Sequence, residues 1–167
     1  MRTTVYFDAA FDKRTSRSAS GLVVCGMEGD IMASKSVIHS NISSSFVAEA
    51  HTGLKAIQLG IEMRLHSLDI KRDSRTVIKK CQFINQDKSI IRAIIRYINS
   101  KKVFFQNIGF YFIPKTENEN AHFIVKEAIR RGEGHYLLGL HPQSFHQARE
   151  RRRQEEQEEG VSRLPDA

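Results

Sequence analysis

The chain has 167 residues, a formal net charge of +7 and a pI near 9.6. Its 40% hydrophobic content with only 3 prolines excludes global disorder and gives one core-bearing domain plus a tail. Five arginines against six acids from Ala148 onward leave +8 on the first 147 residues, a balance that favours a polyanionic partner, nucleic acid being the commonest.

Val5 to Phe11 is a β-branched and aromatic run that reads as a strand and carries Asp8 among apolar neighbours. Alternation puts Tyr6 and Asp8 on one face and Val5, Phe7 and Ala9 on the other, so Asp8 is either a strand-end surface residue or a metal ligand. After a polar turn from Asp12 to Arg17, Ser18 to Cys25 forms a second strand, and Gly26 to Asp30 closes a hairpin. Ile31 to His39 alternates as a half-exposed antiparallel strand at a sheet edge.

Asn41 to Ser45 is a serine-rich capping region, and from Val47 the apolar period becomes helical through Ala50, Leu54, Ile57 and Ile61. Glu49 is expected in the first turn of that helix, one turn before Gly53, whose small size suits close approach to a sheet. A short strand, Ser67 to Ile70, runs into Lys71-Arg72-Asp73-Ser74, leaving Asp73 at a strand end before a helix from Arg75 to Cys81. Asn85 to Asp87 caps a helix from Lys88 to Ser100, with Ile91, Ile94, Ile95 and Ile98 inward and Lys88, Arg92 and Arg96 as a cationic stripe. That stripe is by default a solvated face, and as a functional surface it tracks duplex phosphates.

Phe104 to Ile113 is the fifth strand, with Phe104, Phe105, Phe110 and Phe112 expected in the core, and Asn118 to Arg131 is the last helix. The domain is set at residues 1–134 and a C-terminal extension at 135–167, charged and solvated from about Gln147. Cys25 and Cys81 lack metal or redox spacing and read as reduced thiols. With no run of 18 apolar residues and no signal-peptide core, an intracellular monomer is expected, nuclear or cytoplasmic, with no membrane partner.

Three carboxylates fall at related places: Asp8 in the first strand, Glu49 in a helix, Asp73 at the end of the fourth strand. Singly, each reads as an ordinary surface or helix-dipole carboxylate. Together they offer hard divalent cations the oxygen ligands those ions prefer, and paired ions activate water in phosphodiester hydrolysis.

Four ordered motifs carry a resemblance over about residues 3–131. They are Phe7-Asp8-Ala9-Ala10-Phe11, Ala48-Glu49-Ala50, Asp73-Ser74-Arg75 with Val77-Ile78, and Pro114-Lys115-Thr116-Glu117-Asn118 followed by Ala121-His122. In these the sequence resembles the RNase H family, most closely its plant, retrotransposon-derived members. The resemblance implies an α/β, RNase H-like fold: a five-stranded mixed sheet, three antiparallel strands first, flanked by helices. It also implies two-metal cleavage of the RNA strand of RNA–DNA hybrids, with Mg2+, or Mn2+, as cofactor. Asp8 would bridge both ions, Glu49 and Asp73 would complete the leaving-group ion's site, and His122 stands where the family usually carries Asp. Nucleic-acid contacts are expected from Ser44, Ser74, Arg75, Lys88, Arg92, Arg96, Lys115 and Asn118. Imidazole suits manganese or zinc better than magnesium, and Lys71 and Arg72 replace an acidic residue and a glycine. The runner-up is therefore a nucleic-acid-binding domain without efficient cleavage, and a third reading is a protein-interaction module.

Overall fold

The alternation that begins at Val5 extends a little further than the apolar residues do, to give β1 (Thr3–Asp12). The computed structural model describes residues 2–73 and 85–138. In chain order β1 is followed by β2 (Arg17–Cys25), β3 (Ile31–His39), α1 (Ser45–Glu62), β4 (Ser67–Asp73), α2 (Asn85–Lys101), β5 (Asn107–Ile113), α3 (Glu119–Arg131) and β6 (Tyr136–Leu138). They make one mixed sheet in the order β5-β4-β1-β2-β3-β6. β1, β2, β3 and β6 pair antiparallel in turn, and β4 lies parallel to both β1 and β5.

Period-2 alternation separates two cores. On one face Val5, Phe7, Leu22, Val24, Leu68 and Ile70 pack under Ala56, Ile57 and Leu59 of α1. On the other, Tyr6, Ala10, Ala19, Val23 and Cys25 meet Ala121, Val125 and Ala128 of α3. Each large side chain buried this way contributes about 1.5–3 kcal/mol. α3 sits close because β2 has Gly21 beneath it, where a Cβ would lie 2.7 Å from the Ala121 carbonyl oxygen. Gly132 ends α3 in the left-handed region at φ +71°, its N–H reaching the Ala128 carbonyl.

Several expectations need correction. The sheet has six strands and not five, because Tyr136–Leu138 adds antiparallel to β3 through Ala33, Ser34 and Lys35. A three-residue strand carries no alternation to detect. What admits it is Gly134, which lies against the Ser36 carbonyl with no room for a Cβ. β3 is consequently paired on both sides and is not a sheet edge. β5 starts at Asn107, after a 3-10 turn at Lys102–Phe104.

Of the phenylalanines expected in the core, only Phe105 is buried; Phe104, Phe110 and Phe112 are 58%, 47% and 55% exposed. Among the described residues β5 is one of the two edge strands, and α2 packs on α1. Ile95 on α2 is likewise exposed, and Gly53 faces Ile98 of α2 and not the sheet. The helix expected over Arg75 to Cys81, Cys81 itself and the charged extension lie outside the described residues.

Candidate active site

β1 and β4 run side by side only from the Thr3–Leu68 pair to the Tyr6–Lys71 pair, although β1 continues to Asp12 and β4 to Asp73. Past Tyr6, β2 is the one strand among the described residues that pairs with β1, from Phe7–Leu22 to Asp12–Arg17. The carboxyl ends of two parallel strands thus part, the place where open α/β sheets build their sites. Asp8 and Asp73 stand on the two ends.

The Asp8 side chain is 12% exposed and both its oxygens are engaged. Oδ1 accepts from the Ala9 N–H at 3.0 Å, and Oδ2 from His122 Nδ1 of α3 at 2.8 Å. Burial raises the Asp8 carboxyl above the usual range and the charge of Asp73 raises it further, against the lowering effect of the His122 hydrogen bond. Asp73, the last residue of β4, is buried at 6% exposure.

Glu49 enters from the other face. Ser44 caps α1, its hydroxyl accepting from the Val47 N–H at 3.2 Å, so the helix starts at Ser45 and Glu49 is its fifth residue, not in the first turn as expected. Glu49 Oε2 lies 4.0 Å from Arg72 Nη1 of β4. Asp8 and Glu49 open onto one concavity of about 380 Å3, lined also by Ala9, Ala10, Ser45, Ala48, Lys126 and Arg130. A hydrogen-bond chain registers α1 on the sheet. Thr52 Oγ1 donates to the Ala48 carbonyl at 2.9 Å, which leaves it to accept from Ser20 Oγ at 2.7 Å, and Ser20 then accepts from His39 Nε2 at 2.9 Å. The last acceptor in the chain is the residue before Glu49.

The other expected contact residues are scattered. Arg92 and Arg96 are exposed on α2; Lys88 lies in that helix, with its side chain outside the description. Lys115 is exposed on a 3-10 turn before α3. Asn118 is 1% exposed, and its Nδ2 donates to the Phe7 carbonyl at 2.8 Å, which ties the start of α3 to β1. Ser74 and Arg75 lie outside the described residues. Sequence reasoning missed Lys126 and Arg130, although His122, Lys126 and Arg130 recur at four-residue spacing on α3 and so share one helix face.

The resemblance calls for a divalent cation. Among the described residues no three His, Cys, Asp or Glu side chains group closely enough to hold one. Magnesium, however, commonly takes one or two carboxylates and completes its shell with water and substrate phosphate. Asp8 and Glu49 on one concavity, with Asp73 close enough to raise Asp8, fit such a substrate-completed site; a cation would relieve the cost of holding Asp8 ionised.

The comparisons agree on the fold. Among solved structures, RNase H1 from the halophilic archaeon Halobacterium salinarum NRC-1 superposes with a TM-score of 0.66 at 21% identity, over 78% of this chain and 99% of that one. LC11-RNase H1, isolated from compost and solved in complex with an RNA/DNA hybrid, gives 0.62 at 19%, covering 78% and 98%. The N-terminal RNase H domain of a Mycobacterium tuberculosis protein gives 0.62 at 14%, covering 78% and 94%. No curated protein matches the sequence. The reverse transcriptase-like family model matches residues 6–128, from the residue at which β1 loses β4 almost to the end of α3, and on that match this RNase H-like chain belongs to the reverse transcriptase-like family.

Proposed function

We propose that the domain binds RNA–DNA hybrids and hydrolyses their RNA strand with a divalent ion, magnesium or manganese. The observation that carries this is the opening of Asp8 and Glu49 onto one concavity where β1 and β4 part, with the charge of Asp73 acting on Asp8. Asp8, Glu49 and Asp73 would hold the ion, which when bound supplies an activated water and charge neutralisation at the leaving oxygen. His122 orients Asp8 by occupying Oδ2, and Arg72 balances the charge of Glu49. Lys126 and Arg130 line the same concavity and attract the phosphate backbone.

An end-labelled hybrid, incubated with the purified protein and each ion in turn, tests this reading. Cleavage confined to the RNA strand and lost in Asp8→Asn is the expected result, and intact RNA in both ions would overturn it. A second reading, hybrid binding without efficient cleavage, is favoured by Arg72 lying 4.0 Å from Glu49 and by imidazole at position 122. It predicts salt-dependent hybrid binding with no product.

A further inference from the structure

Four exposed rings, Tyr97 and the three phenylalanines that left the core, each have a cation over them. Lys101 Nζ is 5.2 Å from the centre of the Tyr97 ring and 5.5 Å from that of Phe104. Lys102 Nζ is 5.4 Å from the Phe110 ring centre, and Arg72 Cζ is 4.7 Å from that of Phe112. Phe110 and Phe112 are two residues apart on β5 and project from the same face, about 7 Å from each other. Because the adjacent Lys101 and Lys102 join the α2 end to β5, the rings form one strip. Tyr97 is 39% exposed and the three phenylalanines about half. Neither lysine forms an ion pair among the described residues.

We infer that this strip binds single-stranded nucleic acid. Exposed ring surface gains most from a planar apolar partner, and an unpaired base is one; a duplex keeps its bases stacked inside and offers such rings only backbone. The cations poised over the rings complement the phosphates of the same strand. An acidic peptide would satisfy the lysines and leave the ring faces wet. The strip also has a direction. Arg72 contacts both Phe112 and Glu49, so the strip starts beside the candidate active site and leads away from it along β5. An unpaired strand leaving a duplex held at Asp8 meets it there. Binding to the strip requires no cleavage, so the inference goes beyond the hydrolase reading and can fail separately from it.

Fluorescence anisotropy of labelled oligo(U) and oligo(dT) with the full chain is the test, a blunt hybrid serving as control. Phe104→Ala and Phe110→Ala should each weaken single-strand binding about tenfold. Lys101→Gln and Lys102→Gln should each lower the salt slope by about 0.7. All four should leave blunt-hybrid affinity unchanged. Phe104→Leu separates stacking from mere bulk: it keeps an apolar side chain without the π face, and wild-type affinity in that variant would overturn the inference. Competition by polyglutamate as effective as by oligo(U) would also overturn it, in favour of an acidic protein partner. Loss of blunt-hybrid binding in the wild-type protein, with the ring variants still impaired on single strands, would remove the hydrolase reading and leave the strip standing.

Discussion

Acid should weaken this fold through His39. Its ring donates from Nε2 to Ser20 at the head of the chain that ends on Ala48, and it stacks on His51 with ring centres 5.3 Å apart. Burial, then the charges of His51 and Lys55, push its pKa from 6.5 down to about 4. A folded-state value below the unfolded one means the unfolded chain binds the proton first. Stability is therefore full above pH 6.5, falls as pH drops toward about 4, and loses nothing more below that. From pH 6.5 to pH 5, at about 1.4 kcal/mol per unit, the loss is about 2 kcal/mol, or roughly 1–2 after solvent screening of a half-buried ring. Urea denaturation at pH 7 and pH 5 reads the difference directly. His39→Gln retains a donor for Ser20 without titrating, so its stability should change less between the two pH values by about 1–2 kcal/mol. Equal losses in wild type and variant would refute the reasoning. Asp8 works with the opposite sign, because a raised carboxyl contributes stability below 3.8 that is lost as pH rises through its folded value; comparing the two proteins cancels it.

Asp8→Asn removes a carboxylate held ionised at a cost, so at neutral pH it should raise the melting midpoint by about 2 °C while abolishing cleavage, the thermal gain vanishing below pH 3.8. His122→Asp sets a second carboxylate against Asp8 Oδ2; it should cost about 1 kcal/mol in chelator, recover on adding magnesium, and raise magnesium-dependent cleavage. A melting curve blind to magnesium would count against the ion site, and a slower, pH-shifted reaction would instead make His122 a proton carrier. Gly21→Ala drives a Cβ into the Ala121 carbonyl and should destabilise by about 2 kcal/mol in urea. Replacing Lys88, Arg92 and Arg96 together should weaken hybrid binding and lower its salt slope by about 0.9 per residue; an unchanged slope assigns the stripe to solvent.

What could be read from the sequence was whatever depends on local period. The limits of β3 follow from alternation, and helical spacing turns Ala121, Ile124, Val125 and Ala128 of the last helix inward; the structure keeps the strand limits and buries these residues, Ile124 only in part. The errors arise where a distant element decides. Phe110 and Phe112 have the composition of a core strand, but among the described residues β5 has a neighbouring strand on one side only. Asn118 was legible as the start of the last helix but not as the partner of the Phe7 carbonyl, 111 positions away. β6 depends on a missing side chain at Gly134.

The carboxylates lie between these cases. Their residue types and their placement near the carboxyl ends of the first and fourth strands were legible; the approach from two faces was not, because Asp8 stands on the α3 side of the sheet and Glu49 on the helix that covers the opposite side. Two faces of a continuous sheet cannot share a concavity. They do so here because β4 leaves β1 after Tyr6, and because the residues following Asp8 are Ala9 and Ala10, small enough to let α1 and α3 close in from either side. Substituting a bulky residue at Ala9 or Ala10 would therefore prise one helix from the split without touching a carboxylate. The hydrogen-bond chain through Thr52 and Ser20 holds α1 at the same depth from its own side. The position of Glu49 thus depends on the register of β2 and β3 as much as on α1.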